Sequence, residues 1–236
     1  MKTATINTEK LLNSYALVRS SWIKDDFISS FIPLAATIIN NKNYDYIDVE
    51  EFCKDFSEEY GIEMPTHPAI KLLSLMQKGN MISFVEDAKR WKPNYDELSK
   101  TNIGSESSIL MSNFDEILND LSAFFNDIHH KSLTIEQCRN YFYEFIQSNS
   151  DFVFKSISEV TNSNIGSEHR IVADYILNIS KTAPDKMSTI KQISIGRLLV
   201  DALRMEETHN EKNNFKNVTI FLDTRIILNK IGRAHV

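Results

Sequence analysis

The chain has 236 residues, a formal net charge of −6, 42% apolar and 25% charged residues. That balance excludes an intrinsically disordered chain. The acidic excess excludes a uniformly basic nucleic-acid binder, while leaving room for a local basic face.

Only 6 Gly and 5 Pro occur. So few breakers over this length predict helices rather than a sandwich or barrel with many turns. Cys53 and Cys138 are the only cysteines, and each lies in a helical pattern beside aromatic residues. Both read as reduced core or near-core residues, with no Cys/His cluster at metal spacing. The first fifteen residues lack the apolar centre of a signal peptide. The apolar-leaning run 27–39 is too short to span a bilayer and contains Pro33. The chain is therefore expected in the cytoplasm, without membrane contact.

In chain order, residues 8–22 place Leu11, Leu12, Tyr15, Leu17, Val18 and Trp22 at helical spacing. A second helix is predicted over 25–40, kinked or broken at Pro33, followed by a loop over 40–43. Asp48 reads as an N-cap with Glu51 in the capping-box position. Val49, Phe52, Cys53, Phe56 and Tyr60 form its buried stripe, and Gly61 ends the helix. Pro68 suits the first turn of the next helix, with Ile70, Leu72, Leu73, Leu75 and Met76 inward and Gly79 at its close. Residues 81–85 then alternate as a strand, with 88–93 as its return.

Helix, turn, helix and a two-stranded ribbon is an order that resembles winged-helix modules. Lys89, Arg90 and Lys92 fall on the ribbon with Trp91 between them. One reading is a basic wing that touches phosphates. The plainer reading, and the one favoured by so few charges, is a solvated hairpin whose Trp91 folds back on the core.

Residues 94–108 are polar and read as a linker. A helix over 108–130 follows, with Leu110, Met111, Phe114, Ile117, Leu118, Leu121, Phe124, Phe125 and Ile128 inward. Asp115, Glu116, Asp120 and Asp127 form its solvated face. His129 and His130 are adjacent, so on a helix they point about 100° apart and cannot chelate from one face; a favourable dipole at the helix end is their expected role. Thr134 caps the next helix with Gln137 as its capping-box partner. Shorter helices are predicted over 151–160 and 167–180, and a last one from Pro184 to about residue 207. The pentapeptide NIGSE occurs at 102–106 and 164–168 and reads as reused helix-start chemistry. His67 and His169 have no carboxylate or His partner at ligand spacing.

Residues 208–217 read as a polar linker into 218–222, a β-branched and aromatic strand. Asp223 sits just past its carboxyl end, where an open α/β sheet places ligand groups. Asp223-Thr224 after an apolar strand resembles the opening of a PIN-like nuclease domain. That resemblance implies that Asp223 is a catalytic carboxylate and one of several ligands to a divalent metal, Mg²⁺ in the full-length parent. It also implies RNA as that parent's substrate. Arg225 stands where many members of the family carry Asn. Asp223 reads equally as a cap for the helix that follows. The remaining carboxylates of such a site lie beyond this chain, so no metal is expected to bind here and no activity is expected from this chain.

Residues 231–236, IGRAHV, are what ATC GGA AGA GCA CAC GTC encodes, which matches a common sequencing-library adapter read in frame. The natural chain is expected to depart from this one near Lys230. The fold class expected is mainly α: multi-helical, with a small winged-helix-like β-hairpin and one C-terminal strand that would begin a truncated α/β domain. The expected organisation is a helical region with the winged-helix-like element at 1–100, a helical domain at 101–210, and the start of the PIN-like domain at 217–230. The leading functional reading is the regulatory or targeting part of a PIN-like, metal-dependent ribonuclease. The alternative is a non-enzymatic helical module that contacts protein or nucleic acid.

Overall fold

The computed structural model describes residues 7–22, 26–101, 103–149 and 167–208. Among them the fold is mainly α. The helices are α1 (Thr8–Ser20), α2 (Ile32–Lys42), α3 (Val49–Tyr60), α4 (Thr66–Lys78), α5 (Tyr95–Leu98), α6 (Gly104–His129), α7 (Ile135–Ser148), α8 (Ser167–Thr182) and α9 (Pro184–Thr208). Two antiparallel strands, β1 (Ile82–Val85) and β2 (Arg90–Pro93), interrupt them between α4 and α5.

Local chemistry sets several of the helix ends. The Asn7 side chain accepts from the Lys10 amide at 3.0 Å and opens α1. Asp48 Oδ1 accepts from the amides of Glu50 and Glu51 at 3.1 and 3.3 Å and opens α3. Gly61 closes α3 in the left-handed region, φ 68°, where a Cβ is unfavourable, and its amide donates to the Ser57 carbonyl. Thr134 and Gln137 form a reciprocal capping box at the start of α7.

The structure decides two boundaries. Of the two outcomes expected at Pro33, a kink or a break, the structure has the break, and the helical segment before it is a 3₁₀ turn rather than α-helix. Residues 28–31 form a 3₁₀ turn, and α2 starts beside them with Pro33 in its first turn. A first-turn proline sacrifices no hydrogen bond, because that amide has no intrahelical acceptor. Residues 94–108 are not a linker: they hold α5 and the first turn of α6. The helix predicted over 151–160 and the strand predicted over 218–222 lie outside the described residues.

The buried apolar side chains form one cluster that runs from Leu11 to Leu203. Phe31, Phe52 and Phe56 fill it beneath α2 and α3, and Phe125, Phe142 and Phe145 fill it between α6 and α7. Buried tyrosines satisfy their hydroxyls: Tyr60 donates to the Leu34 carbonyl at 3.1 Å and Tyr175 to the Ile117 carbonyl at 3.2 Å. The last described helix, α9, closes against the first, α1. At their crossing Gly196 lies directly on the Tyr15 backbone, so closely that a Cβ would overlap the Tyr15 carbonyl.

Three residues expected to face inward do not. Ile70 is 40% exposed on the flank of the buried arc of α4, Ile128 is 61% exposed in the last turn of α6, and Leu198, read on the apolar series of the last helix with Ile190, Ile193, Leu199 and Leu203, is 39% exposed.

Candidate nucleic-acid interface

The basic residues singled out in the ribbon sit on a real hairpin. Its register pairs Ile82 with Pro93, Ser83 with Lys92, Phe84 with Trp91, and Val85 with Arg90. Alternation therefore puts Lys92 and Arg90 on one face, both exposed, and Trp91 on the other. Trp91 is half-buried against the core, with its ring edge-on to Phe84 at 5.1 Å. Lys89 ends the turn in the left-handed region, φ 49°, and its amide donates to the Glu86 carbonyl.

A third extended segment joins the ribbon from an earlier part of the chain. The Ile47 amide donates to the Trp91 carbonyl at 2.7 Å, in an isolated antiparallel bridge. The order across the sheet is thus the Ile47 segment, β2, then β1. That segment is itself anchored. Tyr44, three residues earlier, donates its hydroxyl to Asp55 Oδ2 on α3, and Lys42 Nζ reaches Asp55 Oδ1 at 2.8 Å. Tyr95 of α5 donates to the Tyr44 carbonyl at 2.7 Å. Burial alone would raise the Asp55 pKa; the hydrogen bonds from Lys42 and Tyr44 outweigh it and hold the carboxyl below its ordinary value. Burial and the Asp55 hydrogen bond push the Tyr44 hydroxyl well up.

Helix α4 runs into β1 through Gly79 and Asn80 and packs on it. Pro68, Ala69, Leu72, Leu73 and Met76 are buried, which fixes the rotation of α4 about its axis. Thr66, His67, Ile70, Lys71, Ser74, Gln77 and Lys78 are left on the solvent side. No carboxylate occurs in α4. From Thr66 to Pro93 the sequence holds five Lys or Arg against two carboxylates, Glu86 and Asp87 at the hairpin turn, in a chain whose net charge is −6. The basic surface is therefore larger than the three ribbon residues, and α4 is the part that sequence reading missed. The available signal was the absence of Asp and Glu over 64–85.

Arg90 is not a bare charge. Its guanidinium lies 3.6 Å from Asp48 Oδ2. Lys89 and Lys92 make no ion pair among the described residues.

The other polar clusters bind the fold together. Arg197 Nε donates to Gln147 Oε1 at 2.9 Å and pairs with Asp201, while Gln147 Nε2 donates to the Tyr15 hydroxyl at 2.9 Å. Burial raises the Tyr15 hydroxyl to about 12. His169, without a partner in sequence, meets Glu144 across α7 and α8 at 3.3 Å. Lys131 pairs with Glu168 at 2.8 Å, which with the Ser167 hydroxyl holds that carboxyl down at about 2. Asp120 of the acidic α6 face pairs with Lys186, while Asp115, Glu116 and Asp127 are exposed. His129 and His130 sit at the end of α6, His130 at the left-handed C-cap. Cys138 is buried and Cys53 half-buried, and no disulfide joins them.

Among the described residues, no three His, Cys, Asp or Glu side chains converge on a metal-sized site, and no helix is long and apolar enough to cross a membrane. Asp223, the residue assigned to catalysis and metal binding, lies outside the described residues. Compared with known proteins, the chain matches no family model, no curated protein and no solved structure.

Proposed function

We propose that α4 and the β1–β2 hairpin form a duplex-DNA-binding surface, arranged as in a winged helix, with α4 as the element that enters the major groove. The observation that carries this reading is the carboxylate-free outer face of α4 beside a basic hairpin, in an otherwise acidic protein. A polyanion is attracted to a local basic face even when the net charge opposes it, because screening confines the interaction to about 10 Å at ordinary salt. The antiparallel bridge from Ile47 to β2 supports the comparison, since it ties the ribbon to the chain just ahead of α3.

Duplex DNA is favoured over single-stranded RNA by the aromatic side chains. Single strands are held largely by stacking on exposed rings. Here Trp91 and Phe84 are half-buried and packed against each other. The solvent side of α4 instead carries Lys71, Ser74, Gln77 and Lys78. Such side chains contact phosphates and base edges in a groove about 12 Å wide, which admits a helix. The deep, narrow major groove of A-form RNA does not.

Fluorescence anisotropy with a mixed-sequence DNA duplex about two turns long, at roughly 50 mM salt, tests the reading. Wild type should bind the duplex more tightly than single-stranded RNA of the same length. A Lys78→Gln, Lys89→Gln, Lys92→Gln triple variant should lose affinity. Its salt slope should fall by about 0.9 for each phosphate contact removed. Equal weak binding by both proteins would transfer this surface to a protein partner, the other module reading.

The nuclease reading is separate and rests on the 217–230 sequence alone. We propose it for a longer parent in which Asp223 would join later carboxylates around Mg²⁺. Asp223→Asn in that parent should abolish Mg²⁺-dependent RNA cleavage without unfolding it; retained cleavage would leave Asp223 as a helix cap.

A further inference from the structure

We propose that Asp48 acts as an internal competitor for Arg90, so that Arg90 contacts a nucleic-acid phosphate only by leaving this carboxylate. The inference rests on the DNA-binding reading above and adds a built-in restraint to it.

The two oxygens of Asp48 have different duties. Oδ1 caps α3 by accepting from the Glu50 and Glu51 amides. Oδ2 faces the Arg90 guanidinium at 3.6 Å. That distance exceeds the 2.7–2.9 Å of a charge-assisted hydrogen bond, so the pair is an electrostatic contact. Both side chains are open to water, 54% exposed for Arg90 and 41% for Asp48. An ion pair of this kind is weak enough to break on encounter with a stronger anion. A DNA phosphate within the condensed charge of a duplex is such an anion.

Placement makes the competition effective. Arg90 begins β2 directly after the left-handed Lys89 and shares the outer face of the ribbon with Lys92. Asp48 stands at the start of α3, one residue after Ile47, which is hydrogen-bonded to the Trp91 carbonyl. The backbone bridge therefore holds the two residues side by side, while their exposed side chains remain free to separate. Glu50 and Glu51, in the first turn of α3, add to the negative potential at that end. Asp48 is thus a carboxylate held where it draws a wing guanidinium toward the protein. The arrangement lowers affinity in binding modes that engage Arg90, because they must first break this pair.

The test is a double-mutant cycle on DNA affinity with the whole chain: wild type, Asp48→Asn, Arg90→Gln, and the double variant. Asn is as good an N-cap as Asp, so Asp48→Asn keeps the Oδ1 bonds to α3; unchanged thermal melting verifies that. Asp48→Asn should tighten duplex binding about two- to fivefold, the reach of an exposed ion pair. In the Arg90→Gln background the same substitution should give a clearly smaller gain, because only the removed charge remains to act. Equal gains in both backgrounds, or no gain in either, would overturn the proposal while leaving the DNA-binding surface intact. Absence of duplex binding by all four proteins would sink the surface reading, and this inference with it.

Discussion

Gly196→Ala is expected to be among the most damaging single-methyl additions possible in this protein. The added Cβ would overlap the carbonyl of Tyr15 and lie 2.9 Å from the Tyr15 α-carbon. Carbon atoms that are not bonded to each other ordinarily stay about 3.5–4.0 Å apart. Even the approach to the α-carbon is therefore too close by at least about 0.6 Å, and the carbonyl overlap is larger. The obstacle is backbone in α1, which has no rotamer to change. Relief requires α1 and α9 to move apart. That separation would open the apolar seam between them and pull on the Tyr15–Gln147–Arg197 hydrogen bonds beside it. Overpacking a well-packed site costs about 1–3 kcal/mol and occasionally more; with backbone in the way, the upper end applies. Exchanging Gly for Ala inside a helix returns about 1 kcal/mol of propensity. The net loss should be about 2 kcal/mol or more. Urea unfolding followed by far-ultraviolet circular dichroism, fitted with a common m-value, measures it. Gly79→Ala is the control: its Cβ would meet the Met76 carbonyl at 3.5 Å, an ordinary separation, so its effect should be small. A Gly196→Ala protein as stable as wild type, or more stable by the propensity term, would refute the close approach of α9 to α1.

Two further predictions concern packing and charge. Phe142→Ala and Ile176→Ala remove side chains that are 0% and 1% exposed and should each cost about 2–5 kcal/mol. Ile128→Ser, at a 61% exposed position, should stay within about 0.5 kcal/mol of wild type; equal losses at all three sites would mean that the assigned faces are wrong. Asp55 has a folded pKa below its unfolded value of about 3.9. Its stabilising contribution is therefore complete above that unfolded value and lost as pH falls through the folded one. Asp55→Asn should lower stability at neutral pH and flatten the acid limb of a plot of urea midpoint against pH. An acid limb of unchanged slope would show that Asp55 does not titrate differently in the folded state.

Part of the fold was legible because helix caps and apolar periods are local. A cap joins residues no more than about four apart, so Asp48, Gly61 and the Thr134–Gln137 pair could be read directly from their spacing. The 3.6-residue period likewise placed α3, α7 and α8 close to their observed bounds. The hairpin followed from the alternation after Gly79, and the inward turn of Trp91 matches the plainer of its two readings. The same local logic marked Pro33 as a kink or a break but did not choose between them, because a proline inside an apolar run does not reveal whether the α-helix began before it or at it.

What the sequence by itself determined was most of the helical segments, the apolar face of each, and the basic residues of the hairpin. Only the tertiary structure decided which apolar faces meet. Period identifies a buried arc but not where its cover ends: Ile128 is exposed although it falls on the same arc as Phe114, Leu121 and Phe125. Partner choice between residues far apart in sequence was equally hidden, as in His169 with Glu144, or Lys42 and Tyr44 with Asp55. The clearest case is α9 against α1. A glycine within an otherwise helix-forming stretch signals a close approach, but nothing in residues 184–208 says that the neighbour is Tyr15. The basic surface divides in the same way. Its charges are written in the sequence, whereas the burial of Leu72, Leu73 and Met76 turns Lys71, Ser74 and Lys78 outward, because a helix that hides one side must show the other.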